Sequence, residues 1–582
     1  MRKDILFDFI YYRKKEFFQQ LNLSDSEVEL LITAKVKEYR DYYHKKMWEK
    51  DPEWDRVLIT TLFTYHWNIT IETIEFAKKL VKKNSGLMVG GVLATLQADE
   101  LEKETGIKPH KGILNIPGQL DEGDDKIIDN LPLDYSILDE IAYKYPMSNA
   151  FYGYTTRGCV RRCPFCAVPV LEPKYIQYIP LKERVELAKE TYGDQKDLLL
   201  MDNNILASKK FHIIIKDIID CGFGKNDKFI QPDLLELSVN KLQTGFNDRA
   251  YIRKVQTLIM EFYEKLNGEE SYQVYKIIFD KYHINKLITV KKENLLLAYE
   301  EIKEIYKNHF RPAPRQRYVD FNQGVDARFF TEEKVQLLSK INVRPLRVAF
   351  DNMECQSEYE KAIRMSAAAG IRSFSNYLLY NYDDKPIDLY NRLKINIYLC
   401  EELRINIYSF PMKYHPVIGG FSHNRDFIGE HWNRKYIRAV QAILNSTKGQ
   451  IGRGESFFLK AFGHTEEEFY ELLIMPETFI LYRYFFDWLK DKYYHSTDNW
   501  RLCYNKCMQN LDEDEKTKLI KAIHDNDFSE TAKSQFTNPQ SRQMIDFYTN
   551  YRNAIAKEGT ELFKLKREYE KNPTKPRRRK KK

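Results

Sequence analysis

Cysteine is scarce in this chain. Eight among 582 residues are too few to staple a secreted scaffold. No stretch approaches the 18 or so apolar residues that cross a bilayer. The opening MRKDILFDFIYYRKKEFF breaks every apolar run with charge before a signal-peptide core of about 7 to 15 residues can form. A basic excess is also missing from the body of the chain. The net charge is +8, and residues 571–582, KNPTKPRRRKKK, carry eight Lys or Arg and no acid, so the remaining 84 basic side chains match the 84 acidic ones. A protein that gripped phosphate over its whole surface would be basic throughout. These absences predict a cytoplasmic protein with no membrane partner. The tail is left either as a solvated end that aids solubility or as a contact for nucleic acid or another acidic surface.

What is present is globular. Hydrophobic residues make up 43% and charged residues 30%, and this length accommodates roughly three to four domains. Residues 1–54 lack glycine and place Val28, Leu31, Ile32 and Val36 at helical spacing, which predicts a helical N-terminal segment. From residue 55 the texture changes. RVLITTLF is a β-branched run, ITIETIEFAKKLVKK has helical periodicity, and SGLMVGGVLATL returns to strand with a glycine pair. Strand, helix, strand predicts a small parallel α/β domain over 55–150.

A second alternation occupies 151–420. Strands are expected at Phe151 to Thr156, Asp197 to Asp202, Tyr318 to Gln323, Leu346 to Phe350, Ser373 to Tyr380 and Ile405 to Phe410. Six βα units predict a partial or complete parallel barrel, with chemistry at the C-terminal ends of its strands. The second connection is interrupted at 225–316 by amphipathic helical text, read as a helical insertion. Residues 421–570 are expected to form a helical C-terminal domain, and 571–582 a disordered basic tail.

The strongest local signal is GCVRRCPFC, which sets Cys159, Cys163 and Cys166 on one short stretch. Three thiolates on one loop suit a soft metal centre, and Gly158 and Pro164 help the loop curl. Structural zinc takes four protein ligands, and no fourth Cys or His follows at the usual spacing. A 4Fe-4S cluster held by three cysteines leaves one iron open to a ligand. The trio also follows the first barrel strand, FYGYTT, at the end where a barrel places its active site.

Cys-x3-Cys-x2-Cys after a first barrel strand, with Phe165 just before the last cysteine, resembles the radical SAM superfamily. The resemblance covers roughly 151–415 without the insertion. It implies an α/β fold, a partial (βα)6 radical SAM barrel preceded by a small Rossmann-like domain. That domain is similar to the cobalamin-binding-like domains found before such barrels. The implied cofactors are a 4Fe-4S cluster on Cys159, Cys163 and Cys166 and S-adenosylmethionine on its open iron. One electron would cleave the sulfonium to a 5'-deoxyadenosyl radical that abstracts hydrogen from a substrate, and the electron would come from a donor such as flavodoxin or ferredoxin. Where superfamily members carry a Gly-Gly-Glu-like turn for the methionine amino group, LLLMDNNILAS offers Asp202 with Asn203 or Asn204. YVDFNQGVDARFF brings Gln323, Asp326 and Arg328 to the third strand end, where Arg328 meets either the cofactor carboxylate or a surface salt bridge. Asp351, after the fourth strand, is placed for a ribose hydroxyl.

Cobalamin itself is not expected, because FTYHWN supplies His66 without the Asp-x-His-x-x-Gly pattern that ligates cobalt. Cys503 and Cys507 are four apart in helical text and read as core. His415, His423 and His431 are expected on a loop over the barrel mouth, with Lys413 and Arg425. Two functions follow. One is a radical SAM enzyme of unassigned substrate, with RNA, DNA and peptides among the classes. The other is a non-catalytic, metal-stapled nucleic-acid-binding protein that uses the basic tail.

Overall fold

The computed structural model describes residues 54–571, apart from 142–144, 267–270, 285–289, 448–450, 452–453 and 491–495, together with 37, 47–50 and 52. Most of the expected N-terminal helical segment, and the tail beyond Lys571, lie outside the described residues. The chain divides into two compact units. The first holds the described residues up to Val325, with Thr331–Pro345 and Val417–Arg425. The second holds Asp326–Phe330, Leu346–Pro416 and the described residues from Asp426 onward. No helix among the described residues is long and apolar enough to cross a membrane.

In the first unit, β1 (Val57–Thr61) and β2 (Leu87–Gly91) pair in parallel, from Val57↔Leu87 to Thr61↔Gly91. The helix Trp67–Lys78 connects them and buries Ile74 and Ala77 against Val89, Leu93 and Leu101. Strand was expected to continue through VLATL. Instead the chain turns at Gly91 into the helix Val92–Leu96. Gly91 has φ +99°, and a Cβ there would lie 2.3 Å from the Thr61 carbonyl oxygen, so only glycine passes this point. The turn is then fixed by Ala94 N–H donating to Thr61 Oγ1 at 3.0 Å.

The same unit continues with β3 (Ala150–Gly153) and β4 (Asp197–Leu200), linked through the helix Lys182–Tyr192. The two-residue strands β5 (Lys228–Phe229) and β6 (Arg315–Gln316) pair antiparallel. Between them lie the helices Leu234–Thr244, Asp248–Lys265, Ser271–Lys281 and Lys292–His309. These helices share a core that includes Val239, Val255, Ile259, Tyr275 and Ile302. β7 (Val319–Phe321) completes a parallel sheet in the order β3-β4-β7.

In the second unit β8 (Val325–Asp326), which ends in its first residue, edges a sheet with β9 (Leu346–Ala349), β10 (Ser373–Tyr380) and β11 (Asn406–Lys413), in the order β11-β10-β9-β8. β9, β10 and β11 are parallel. The helices Gln356–Ala368 and Pro386–Leu403 connect them, and a run of helices from Arg434–Ser446 to Glu561–Lys571 follows. Cys503 and Cys507 are buried there.

All six expected strands are present, the fifth with the expected ends. They make an α/β protein with parallel sheets, in the ladders β3-β4-β7 and β11-β10-β9-β8. An isolated parallel bridge pairs Val319 of β7 with Val343, just before β9, with Val319 N–H donating to Asn342 O and its carbonyl accepting from Arg344 N–H.

Candidate functional site

The first expected strand stops at Gly153, before the threonines that were read as part of it. Thr155 and Thr156 leave the ladder because Asp202, just past β4, takes their donors. Its Oδ1 accepts from Thr155 N and Thr155 Oγ1, both at 2.9 Å, from Thr156 Oγ1 at 2.7 Å, and from Thr156 N. Asp202 is fully buried, and its second oxygen, Oδ2, has no hydrogen-bond partner. Burial raises its pKa above the usual carboxylate value, against the pull of the Thr156 and Thr155 donors.

From this anchored start the chain enters the cysteine loop through Gly158, at φ +69°. A Cβ at Gly158 would lie 2.5 Å from Lys174 O and 2.8 Å from Glu172 O. Glu172 holds the loop from the other side. It accepts from Gly158 N–H at 2.6 Å, from Arg157 Nη1 at 2.8 Å and from Asn203 Nδ2 at 2.9 Å. Arg157 in turn pairs with Asp129. Two donors reach the first sulfur, Arg161 N–H at 3.3 Å and Asn204 Nδ2 at 3.6 Å from Cys159 Sγ. Cys166 N–H donates to Cys163 O at 3.0 Å. Tyr175, whose hydroxyl donates to Asn204 O at 3.4 Å, has its pKa pushed up to about 12, by burial first and then by the neighbouring Asp202 and Cys159.

The structure therefore brings together, at the ends of β3 and β4, the three cysteines, Asp202 and Asn203. Phe165 sits half-buried within the loop, and Gln323 is exposed on the turn after β7. The remaining expected residues lie in the second unit. Arg328 makes a bidentate pair with Asp326, Nε to Oδ1 at 2.7 Å and Nη2 to Oδ2 at 2.8 Å, the salt bridge that was one of its two expected roles. Asp351 follows β9. Burial raises its pKa, while Arg392 and Arg328 pull it down.

Sequence reading missed Glu172, Thr155, Thr156 and Arg392. The paired threonines before Gly-Cys were a usable signal, since they bring two hydroxyls and two amides to a strand end. Arg392 had none, because it stands mid-helix where an arginine normally faces water. The histidine loop also differs from expectation. Val417–Arg425 packs within the first unit, where His423 stacks on Trp67 at 3.9 Å with Nε2 3.3 Å from Glu100. Arg425 lies over the Tyr65 ring at 4.1 Å, and Ser422 bonds Gln97. These aromatic and buried polar contacts hold the loop on the N-terminal strand pair.

Among the described residues no three His, Cys, Asp or Glu side chains form a metal-ligating group, so the three thiols share a loop without closing on a common centre. The donor set still fits an iron-sulfur cluster. It comprises three partly exposed thiols, none in a disulfide, donors aimed at one sulfur, and an orphaned carboxylate oxygen one strand away.

Fold and site together define an α/β protein with parallel sheets and a three-cysteine loop at a strand end. No protein-family model and no curated protein matches the sequence. Among solved structures the chain is similar to TsrM from Kitasatospora setae, a radical S-adenosylmethionine methyltransferase determined with cobalamin and a 4Fe-4S cluster bound. The TM-score is 0.32 and the identity 12%, over 63% of this chain and 65% of that one. The match thus spans less than two thirds of the neighbour. This comparison corrects the expectation that cobalamin is absent, because the neighbour is a cobalamin-bound protein. The expectation rested on a missing His motif. Loss of that motif removes one bond to cobalt and says nothing of the contacts that hold the rest of so large a cofactor. The expectation is withdrawn.

Proposed function

We propose that this protein is a radical SAM enzyme. The observation that carries the reading is the Cys159, Cys163, Cys166 loop at the C-terminal end of the first of three parallel strands, with the orphaned Oδ2 of Asp202 at the end of the second. Cys159, Cys163 and Cys166 hold the cluster through their sulfurs. When bound, a 4Fe-4S cluster with one open iron supplies the single electron for reductive cleavage of S-adenosylmethionine.

The chain's own residues do the positioning. Thr155 and Thr156 fix Asp202 Oδ1, which turns Oδ2 into a preset acceptor for the methionine ammonium. Asn203 is held by Glu172, so the same carboxylate fixes both the entry to the cysteine loop at Gly158 and the residue beside Asp202. Arg161 N–H and Asn204 Nδ2 donate to the sulfur of Cys159 and fix its place on the loop.

The test is anaerobic reconstitution of the full chain, followed by iron and sulfide quantification and an assay for 5'-deoxyadenosine with dithionite and S-adenosylmethionine. About one cluster per chain and measurable cleavage are expected, both abolished by Cys163→Ala. Intact, iron-loaded protein that releases no 5'-deoxyadenosine under several reductants would overturn the proposal.

A further inference from the structure

β3 has one edge that no strand covers, since it ends the order β3-β4-β7. Its ladder to β4 uses the main-chain groups of Asn149 and Gly153, which accept from Asp197 N–H and Met201 N–H. Main-chain groups alternate sides along a strand, so those of Tyr152 and Tyr154 face the other way. There Tyr152 N–H donates to Tyr135 Oη at 2.8 Å, and Tyr154 O accepts from Arg184 Nη2 at 2.9 Å. Among the described residues the two groups between these, Tyr152 C=O and Tyr154 N–H, have no hydrogen-bond partner. A carbonyl and an amide in this order, flanking Gly153, pair with the N–H and C=O of a single residue in an incoming parallel strand.

A cavity of about 400 Å³ opens beside them. Phe151, Leu181 and Val185 wall it on the side of the sheet and its helix, and Leu131 and Leu133, exposed by 46% and 54%, on the side of the segment before β3. Two guanidinium groups lie over the Tyr154 ring, Arg157 at 3.5 Å and Arg184 at 4.2 Å. Only one of them is neutralised. Arg157 pairs with Asp129 and Glu172. Arg184 uses Nη2 for the carbonyls of Tyr154 and Pro180, and among the described residues it has no carboxylate partner and no hydrogen bond from Nε or Nη1.

Three demands therefore meet at one place: an amide for the open main-chain groups, an apolar side chain for the cavity, and a negative charge for Arg184. The last residue of a peptide carries all three. We infer that the edge of β3 binds the C-terminal residue of a partner peptide whose last side chain is apolar. Its N–H donates to Tyr152 O, its carboxylate accepts from Tyr154 N–H and Arg184, and its side chain enters the cavity between Leu133 and Val185. A fatty acid leaves Tyr152 O unmet, and an internal peptide segment leaves the Arg184 charge unmet. The site uses neither the cysteines nor Asp202, so the inference goes beyond the enzyme reading and does not rest on it.

Fluorescence anisotropy of the full-length protein with an N-terminally labelled octapeptide ending in Val-Leu tests it, without iron, reductant or S-adenosylmethionine. Saturable binding is expected, and amidating the peptide's C-terminus or replacing its last residue by aspartate should weaken it roughly tenfold. Arg184→Met should bring the free and amidated peptides to the same affinity. Leu133→Asn, at an exposed rim position, should weaken both and leave the thermal melt unchanged. Equal wild-type affinity for the free and amidated peptides would overturn the inference. So would full competition by octanoate, which has the carboxylate and the apolar chain without the amide, or no saturation by about 1 mM peptide. Because no cofactor enters the assay, failure of cleavage sinks the enzyme reading alone, and indifference to the terminal carboxylate sinks this one alone.

Discussion

Asp202 and Glu515 are both buried carboxylates that accept four hydrogen bonds, yet their pKa values are displaced in opposite directions. Glu515, in the helix Glu513–Asp525, uses both oxygens. Oε1 accepts from Thr537 N and Thr537 Oγ1 at 2.6 Å and from Asn538 N at 3.3 Å, and Oε2 accepts from Ser541 Oγ at 2.8 Å. Burial pushes it up, but the Thr537, Ser541 and Asn538 donors outweigh burial and take it down to about 2. Asp202 gathers all four donors on Oδ1, and there burial wins. The donors are equal in number, so the difference lies in desolvation, which is heavier at Asp202. A carboxylate bonded through both oxygens is closed scaffold, whereas one bonded on a single oxygen keeps an acceptor for something else.

Arg392 marks the closed extreme, and its loss should have the largest effect. Its five N–H groups reach Phe350 O, Asp351 O, Leu379 O, Asp388 O and Asp384 Oδ2 at 2.6 to 3.1 Å. Arg392→Ala leaves Asp384 buried without its cation and should cost about 3–5 kcal/mol in urea unfolding. A loss below about 1 kcal/mol would break the equation of saturation with scaffold. Asp202→Asn tests the open case. Its amide oxygen keeps the threonine donors, so stability should change by no more than about 1 kcal/mol, while S-adenosylmethionine cleavage should fall about 100-fold, or about 2.7 kcal/mol.

The pH dependence sharpens the contrast. A raised Asp202 pKa means that the fold favours the protonated form. Its contribution is complete at acid pH and is lost as pH rises through the folded value, so the Asn variant should gain on the wild type above the carboxylate range. Glu515→Gln should behave oppositely, costing about 1–3 kcal/mol near neutrality, with the wild-type advantage fading as pH falls from 4.5 toward 2.

The smallest effect is expected at Lys435, which is buried, donates to Met475 O at 2.6 Å, and is pushed down by burial to about 7. The folded chain binds its proton less readily than the unfolded one. The penalty is therefore full below about 7 and vanishes toward 10.5. Lys435→Met should be about 1 kcal/mol more stable than wild type at pH 6, with the gap closing by pH 10 in thermal melts.

The strands were readable because alternation and β-branching are local. Ser373–Tyr380 keeps its expected ends, since β11 pairs with it at every residue. What local pattern does not carry is competition from afar. Thr155 and Thr156 look like strand, and a carboxylate at residue 202 draws them off it. Arg392, in LYNRLK, looks like a wet helix face, and only the carbonyls at the ends of β9 and β10 make it interior. The cysteine spacing was legible for the opposite reason, since all three cysteines lie within eight residues. His423 was misplaced because its partners, Trp67 and Glu100, lie more than 300 residues upstream.

The short pairing of β5 with β6 has a consequence for the lineage of the molecule. Lys228 faces Gln316 and Phe229 faces Arg315, so the chain leaves for its helical excursion and returns within one strand spacing, about 5 Å. The excursion is tied in again where Asn247 donates to Ser136 and Glu140 and Lys254 to Asp139. The part beyond those contacts can be lengthened or shortened without shifting the register of β4 against β7, because the closure cost of such a loop grows only slowly with its length.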